Sequence, residues 1–269
     1  MRKGVLRAIC LALLSLVSQQ LVRANRYDVA AFVYPAYCTD DPRLRPFWPM
    51  GMGEWETVLT MQQRFPGHPW NRRPLWGYVN EADPAVMEME IEQASDHGVN
   101  VFIFDWYWFD GRPFMETTLC NGFLKARNRD RMKFYLMWAN HDVIYNYWNC
   151  HKWGDKTDLL FNPDVNMEDL KQIMPRIINQ YFVRPNYVKI DGCPGLALFS
   201  IDNFIRSFGS EDAAAEAMEF MREEVRKAGF PGLHIQQTQG GGYMMSDERI
   251  ESMRRIIAKL GIDSETLYN

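Results

Sequence analysis

The feature of this sequence that most constrains its fold is the alternation of short, continuously apolar runs with longer stretches of helical periodicity. Residues 27–34 (YDVAAFVY) and 99–105 (VNVFIFD) are apolar on both faces of an extended chain. Between them, Asp83 is expected to cap a helix, Pro84 to occupy its first turn and Gly98 to end it. Strands that are apolar on both faces indicate a sheet covered on both sides, so we expect a parallel strand-helix-strand unit.

The same alternation runs through the rest of the chain and predicts six strands in all. The further predicted elements are a helix at 113–127, a strand at 132–138, a helix at 167–181 kinked at Pro175, a hairpin of 187–190 and 194–200 turned at Asp191-Gly192, a helix from Ser210 to Gly229, a strand at 233–236, a helix from Ser246 to Gly261 and a strand at 265–269.

This order of elements predicts the α/β class and a (β/α)8 barrel. An open doubly wound sheet is the alternative, but nearly fifty residues separate the first strand from its helix and contain no G-x-G-x-x-G. A closed barrel has eight strands, whereas about six βα units are countable here. We therefore expect residues 25–269 to form one barrel domain that is incomplete at its C-terminal end, with unpaired sheet edges prone to association.

The start of the chain has the pattern of a secretory signal peptide. Three basic residues within the first seven precede an apolar run at 8–17, and Ala24 follows as a small residue suited to cleavage. An uncleaved anchor is the alternative, but ten residues span only about 15 Å as a helix, roughly half of a bilayer core. We predict cleavage of residues 1–24 after Ala24, a secreted or periplasmic protein, and no stable membrane insertion afterwards.

Charge and cysteine usage narrow the function classes. Thirty Lys and Arg against 34 Asp and Glu give a net charge of −4, and the four basic residues lost with the signal peptide leave −8. Such a chain has no basic field for nucleic acid, which we exclude as a partner. The four remaining cysteines show no C-x-x-C spacing, so they allow three disulfide pairings or buried free thiols; they are Cys38, Cys120, Cys150 and Cys193.

Aromatic rings, carboxyl groups and amides follow the ends of the predicted strands, where barrels carry their reactive groups. All nine tryptophans lie between Trp48 and Trp153. A pyranose offers an apolar face for stacking and hydroxyls for hydrogen bonds, so this mixture predicts a glycan or polysaccharide ligand. The candidate substrate-binding residues are Tyr34, Trp55, Asp105, Tyr107, Trp108, Asn140 and His141.

Structural alternatives remain open for several of these positions. Any of the strand-end rings can simply fill the barrel, and Trp106 and Trp138 are predicted to be core. Asp105 can instead cap the next helix or pair with Arg112. Glu54 and Glu56 are interpreted as solvated loop charges. A metal held by His141 and Asp142 has little support, and we predict neither a metal nor a cofactor.

Four segments of the chain resemble the glycoside hydrolase family 99-like proteins, a group that includes the WbsX-type glycosyltransferases. They are residues 53–58, 77–111, 132–142 and 188–204, and the most specific parts are YWFDG at 107–111 and WAN at 138–140. The resemblance implies a (β/α)8 barrel acting on glycan chains, similar to retaining endo-α-mannosidases that need no metal. It also implies substrate contacts at the candidate residues Tyr34, Trp55, Tyr107, Trp108, Asn140 and His141.

The resemblance does not supply a catalytic residue. Retaining glycosidases need two converging carboxyl groups, and the family places its pair in a late Trp- and Glu-rich motif, whereas no tryptophan follows Ser200 here. The leading hypothesis is an exported, endo-acting glycoside hydrolase for mannan-like polysaccharide, inactive if that motif is required. The alternatives are a WbsX-like glycosyltransferase, although no Asp-x-Asp is present, a noncatalytic glycan-binding protein, or a nonfunctional fragment.

Overall fold

A computed structural model describes residues 27–38, 41–69, 73–144, 158–240 and 247–268 of the 269-residue chain. Four predictions fall outside these ranges: the signal peptide at 1–24, the participation of Cys150 in a disulfide, the N-cap role of Ser246 and the last residue of the final strand. Cys120 and Cys193 carry free thiols. Among the described helices, none combines the length and apolar character that crossing a bilayer requires.

The described strands are β1 Ala30–Val33, β2 Val101–Phe109, β3 Arg112–Phe114, β4 Lys133–Trp138, β5 Val143–Ile144, β6 Leu159–Phe161, β7 Lys189–Ile190, β8 Cys193–Leu198, β9 His234–Gly240 and β10 Ser264–Tyr268. Six of them run parallel and form the central sheet, in the order β1-β2-β4-β8-β9-β10. Two short antiparallel strands extend this sheet, because β3 pairs with β2 and β7 pairs with β8. The strands β5 and β6 form a separate antiparallel pair.

Helices alternate with these strands, and their termini follow local capping chemistry. Asp83 accepts from Ala85 N and Ser210 from Ala213 N, which confirms both predicted caps. Asn166 and Asp169 form a reciprocal capping box. The α-helices are α1 Glu54–Leu59, α2 Pro84–Asp96, α3 Met167–Ile177, α4 Ile201–Phe208, α5 Glu211–Lys227 and α6 Asp247–Leu260.

The helix predicted at 113–127 is wrong at its start, and its later part is π-helical and 3-10 rather than α-helical. Phe114 belongs to β3 and pairs with Tyr107, after which Met115 has a left-handed φ of 55°. A π-helical turn at Thr118–Gly122 and a 3-10 turn at Phe123–Lys125 follow. Gly122 lies so close to the backbone of Glu81 that a Cβ there would approach the Glu81 carbonyl oxygen to 2.0 Å. Pairing with β2 and this close approach are long-range effects that override local helical periodicity.

The sheet is curved, with helices on its outer face and a second apolar cluster on its inner face. Phe104, Leu136 and Leu198 pack outwards against the helices, whereas Ile103 and Met137 point into the inner cluster. The strands are therefore apolar on both faces for two different reasons.

The curvature brings the first and last strands of the order together. The rings of Phe32 in β1 and Tyr268 in β10 have centroids 4.6 Å apart across the interior, although no backbone pairing joins these strands within the described ranges. The fold class is confirmed as α/β of the (β/α)8 type, with six parallel strands in the described chain.

Candidate functional site

A cavity of about 200 Å³ opens at the carboxyl ends of the parallel strands. Strands that run in the same direction end at the same rim, so residues far apart in sequence meet there. The cavity combines one carboxyl group, three phenols, one imidazole and apolar side chains. It is lined by Tyr34, Asp105, Tyr107, Met137, Ala139, His141, Val143, Phe199 and Tyr268.

Asp105 is the carboxyl group of this cavity and is only 6% exposed. The phenols of Tyr107 and Tyr268 donate hydrogen bonds to it. Its Oδ1 atom is buried and has no hydrogen-bond partner among the described residues. Burial raises the pKa of Asp105 to about 7, against the lowering effect of the two phenol hydrogen bonds. At neutral pH the group can therefore either donate or accept a proton.

The three tyrosines remain protonated around this acid. Burial is the main cause that raises the pKa of Tyr34 and Tyr107, and the Asp105 charge adds to it. Burial followed by the Asp105 charge raises the pKa of Tyr268 to about 12. Each phenol therefore keeps its proton at physiological pH and acts as a hydrogen-bond donor.

His141 forms another wall of the cavity. Its ring packs against the edges of Tyr107 and Phe199, with centroids 6.0 and 5.3 Å apart. Nδ1 lies 2.9 Å from the carbonyl oxygen of Asp142, which can only accept, so Nδ1 donates in this contact. The Asp142 carboxylate pairs with Arg206 at 2.7 Å.

The structure thus brings four of the seven candidate residues to one cavity: Tyr34, Asp105, Tyr107 and His141. Asp105 neither caps a helix nor pairs with Arg112, because its partners are phenols. Phe199 and Tyr268 also line the cavity and were missed by the sequence reasoning, although both stand at strand ends and the rule that selected Tyr34 could have found them.

The structure differs from the prediction that Trp108 contacts substrate, because Trp108 does not line this cavity. Successive side chains of a strand point to opposite faces, so Tyr107 faces inwards and Trp108 outwards. Trp108 is 5% exposed and stacks on Trp106 with centroids 6.1 Å apart. Its Nε1 donates to Asp169 Oδ1 at 3.2 Å. Trp108 is part of the core between the sheet and α3, and the predicted core positions of Trp106 and Trp138 are confirmed.

Asn140 is also withdrawn as a direct substrate contact, because both ends of its amide are occupied. Its Nδ2 donates to the Ser200 carbonyl oxygen and its Oδ1 accepts from Ser200 N, each at 2.8 Å. The backbone oxygen of Asn140 accepts from Asn203 Nδ2 at 3.0 Å. Asn140 therefore fixes the end of β4 to the start of α4 and positions the neighbouring cavity wall.

Trp55 lies in a second cavity, of about 380 Å³, beside the first. Its ring contacts Tyr37, with centroids 4.3 Å apart, and its Nε1 donates to Val79 O at 2.8 Å. Glu81 and Glu90 also line this cavity. Burial, reinforced by the Glu90 charge, raises the pKa of Glu81 to about 8, and burial raises that of Glu90 to about 7.

The interpretation of Glu54 and Glu56 as solvated loop charges is wrong. Glu56 is buried and its Oε1 accepts from Met52 N at 3.0 Å. Burial raises the pKa of Glu54 to about 7. Burial is also the main cause that raises the pKa of Tyr34 and of Tyr37, and the Glu54 charge raises both further. Glu54 is therefore near the phenols of both Tyr34 and Tyr37. No local sequence pattern distinguishes such a glutamate from an exposed one.

Comparisons with known proteins confirm the family resemblance of the sequence. The protein WxcX of Xanthomonas campestris pv. campestris, from strains B100 and ATCC 33913, is 26% identical over 160 residues, which cover 59% of this chain and 22% of that protein. This chain thus spans about a fifth of the length of the curated relatives that it matches.

Among solved structures, the GH99 endo-α-mannosidase from Bacteroides thetaiotaomicron matches with a TM-score of 0.39 and 10% identity, covering 88% of this chain and 83% of that one. The same enzyme in complex with bis-tris-propane matches with the same score over 81% of its chain. The model of the family described as glycosyltransferase WbsX matches residues 29–264, so the chain belongs to the WbsX glycosyltransferase family.

Proposed function

We propose that this chain is a glycan-active protein that holds one sugar residue of a polysaccharide in the Asp105 cavity. The observation that carries the proposal is the buried Asp105 Oδ1, which has no protein partner in the described chain and belongs to a cavity walled by aromatic rings. Buried polar atoms are nearly always hydrogen-bonded. A ligand hydroxyl supplies the missing bond.

The cavity suits a neutral sugar ring in size and chemistry. About 200 Å³ is below the roughly 300–1,000 Å³ of sites for drug-sized ligands. The phenols and the carboxyl group offer both donors and acceptors for hydroxyls, and the rings offer apolar faces. Membership of a family described as glycosyltransferase supports a sugar ligand.

For the reaction we propose hydrolysis within a mannan-like chain, with Asp105 as the acid. Asp105 would protonate the leaving glycosidic oxygen as the bond from that oxygen to the sugar carbon breaks. Water would supply the hydroxyl that replaces it, and its second proton would restore Asp105. A pKa of about 7 suits a general acid at neutral pH. The second carboxyl group that hydrolysis requires is not among the described residues lining this cavity, and we assign none.

Charge favours a neutral glycan over a sugar nucleotide. None of the described residues that line the cavity is a lysine or arginine, and Asp105 is an acid. The diphosphate of a sugar nucleotide would therefore meet a carboxyl group without a balancing cation. The family description nevertheless favours glycosyl transfer as the second candidate function.

The test compares wild-type protein with Asp105→Asn on α-mannan, with and without GDP-mannose. We expect reducing ends from the wild type without nucleotide, an activity that falls above pH 7, and no activity from the variant. Asp130→Asn, a change of the same kind at an exposed position, is the control and should behave as wild type. Product formed only with GDP-mannose would establish transfer, and oligosaccharide binding without any product would establish a noncatalytic binding protein.

We also propose export, on the strength of the basic and apolar pattern of residues 1–24. N-terminal sequencing of protein recovered from the periplasm or medium should begin at Asn25. Recovery of the chain only inside cells, with Met1 retained, would contradict this.

A further inference from the structure

The second cavity presents flat apolar surface at the mouth of the fold. Trp76 and Leu75 are 43% and 95% exposed there and lie next to each other in the lining. Trp55 and Tyr37 form the inner part of the same surface. Exposed rings beside a cavity with carboxyl groups are suited to a ligand that has both an apolar face and hydroxyls.

This surface is held in place before any ligand arrives. Trp55 is fixed by its hydrogen bond to Val79 O and by an edge contact with Tyr78, whose ring centroid is 5.6 Å away. The backbone of Glu81 is packed against Gly122 so closely that no side chain fits between them. A preformed surface loses little conformational entropy on binding.

One short segment of the chain, Tyr34 to Tyr37, contributes a ring to each cavity. Tyr34 lines the first cavity and Tyr37 the second, and Ala36 N donates to Tyr34 O at 2.9 Å in the turn that joins them. Gly53 packs against this turn with φ +63°, and a Cβ there would approach the Ala36 carbonyl oxygen to 2.0 Å. Trp55 follows this contact and packs against Tyr37, while the charge of Glu54 acts on both tyrosines.

The polar groups of the second cavity also await a partner. The Oε2 atom of Glu81 is buried without a hydrogen bond in the described chain. Burial and the neighbouring Glu90 keep Glu81 largely protonated at neutral pH. A protonated carboxyl group donates one hydrogen bond and accepts others, which matches the hydroxyls of an uncharged sugar.

We propose that the second cavity binds a further sugar residue of the glycan chain that occupies the Asp105 cavity. This further sugar residue stacks on Trp76 and forms a hydrogen bond with Glu81. This inference rests on the proposed function and specifies its substrate as an oligosaccharide or longer chain. Because Tyr34 and Tyr37 are three residues apart and each lines one of the cavities, one continuous ligand is the occupant that we infer for both.

The test measures affinity against chain length by calorimetry, with mannose and α-1,6-linked manno-oligosaccharides of two, three and four residues. For the wild type, affinity should rise with length. Trp76→Ala should weaken tetrasaccharide binding about threefold to tenfold, as expected for loss of one stacked ring, and leave mannose unchanged. Trp76→Phe should recover most of the loss.

Tyr27→Ala is the matched control, because Tyr27 is an aromatic residue with 77% exposure beside a different cavity. It should bind every probe as wild type does. The contrary result is an affinity that is independent of chain length and responds to Asp105→Asn but not to Trp76→Ala. That result would overturn the assignment of a sugar residue to the second cavity and leave the proposed function standing. Failure of the wild type to bind any probe would overturn both.

Discussion

The two faces of β2 differ in whether their polar side chains have hydrogen-bond partners. On the outer face, both indole groups have acceptors, because Trp106 Nε1 donates to Glu116 Oε1 at 2.6 Å and Trp108 Nε1 to Asp169 Oδ1 at 3.2 Å. On the inner face, Asp105 has a buried oxygen that no described residue contacts with a hydrogen bond, beside a cavity. The indole groups of the outer face are therefore paired, whereas a carboxyl oxygen of the inner face is not.

The two acids of these faces show the same contrast. Glu116 accepts from Trp106, from the Tyr181 phenol at 2.9 Å and from Arg176, so its charge is balanced. Within the described ranges Asp105 accepts from two neutral phenols and from no cation, and burial raises its pKa. In a buried carboxylate that is paired with a cation, the pairing offsets the desolvation penalty, whereas a buried carboxylate without a cation lowers the stability of the fold. Acids of the second kind cluster at functional sites.

The largest effect is expected on the outer face. Trp108→Ala should lower the free energy of unfolding by about 3–5 kcal/mol, because it removes a buried indole and leaves a cavity in the core. Urea denaturation measures this, and Trp76→Ala is the control with little expected change because Trp76 is exposed. Unchanged stability together with weaker glycan binding would return Trp108 to the binding site.

A substitution on the inner face is expected to raise the free energy of unfolding rather than lower it. Asp105→Asn should raise the free energy of unfolding at pH 8 by about 2–4 kcal/mol, since the native pKa is about 7 and the unfolded one about 3.9. Between pH 4 and 7 the unfolded wild-type chain loses the Asp105 proton first, so wild-type stability falls as pH rises, whereas the variant lacks this fall. Urea denaturation from pH 4.5 to 8 measures the difference, and parallel curves would contradict the raised pKa.

A smaller loss is expected from the balanced acid. Glu116→Gln should lower the free energy of unfolding by about 1.5–3 kcal/mol, the range for charged hydrogen bonds, because Arg176 and Tyr181 lose their charged acceptor. Glu251→Gln breaks an exposed pair with Arg254 and is the matched control, with no measurable change expected. A stabilising effect of Glu116→Gln would remove the distinction between the two acids.

The sequence was sufficient for those features that local patterns or strand ends determine. The six strands and the caps at Asp83 and Ser210 follow from periodicity and capping chemistry. Tyr34, Asp105 and His141 share a cavity because parallel strands end at one rim.

The features that were wrong or missed depend on contacts between distant residues. A strand that is apolar on both faces hides which of its side chains face inwards, so Tyr107 and Trp108 could not be separated. The burial of Glu81 depends on Gly122, some forty residues later, and the periodicity at 113–127 did not reveal the pairing of β3 with β2.

The hydrogen bond from Tyr268 to Asp105 has a consequence for how chemistry is controlled here. Tyr268 belongs to an outermost strand of the sheet and Asp105 to a strand four places away in the order. A peripheral strand thus tunes the proton affinity of the acid, because withdrawal of the phenol would make Asp105 harder to ionise. A displacement of β10 alone would therefore change the protonation state of a residue on the far side of the sheet order.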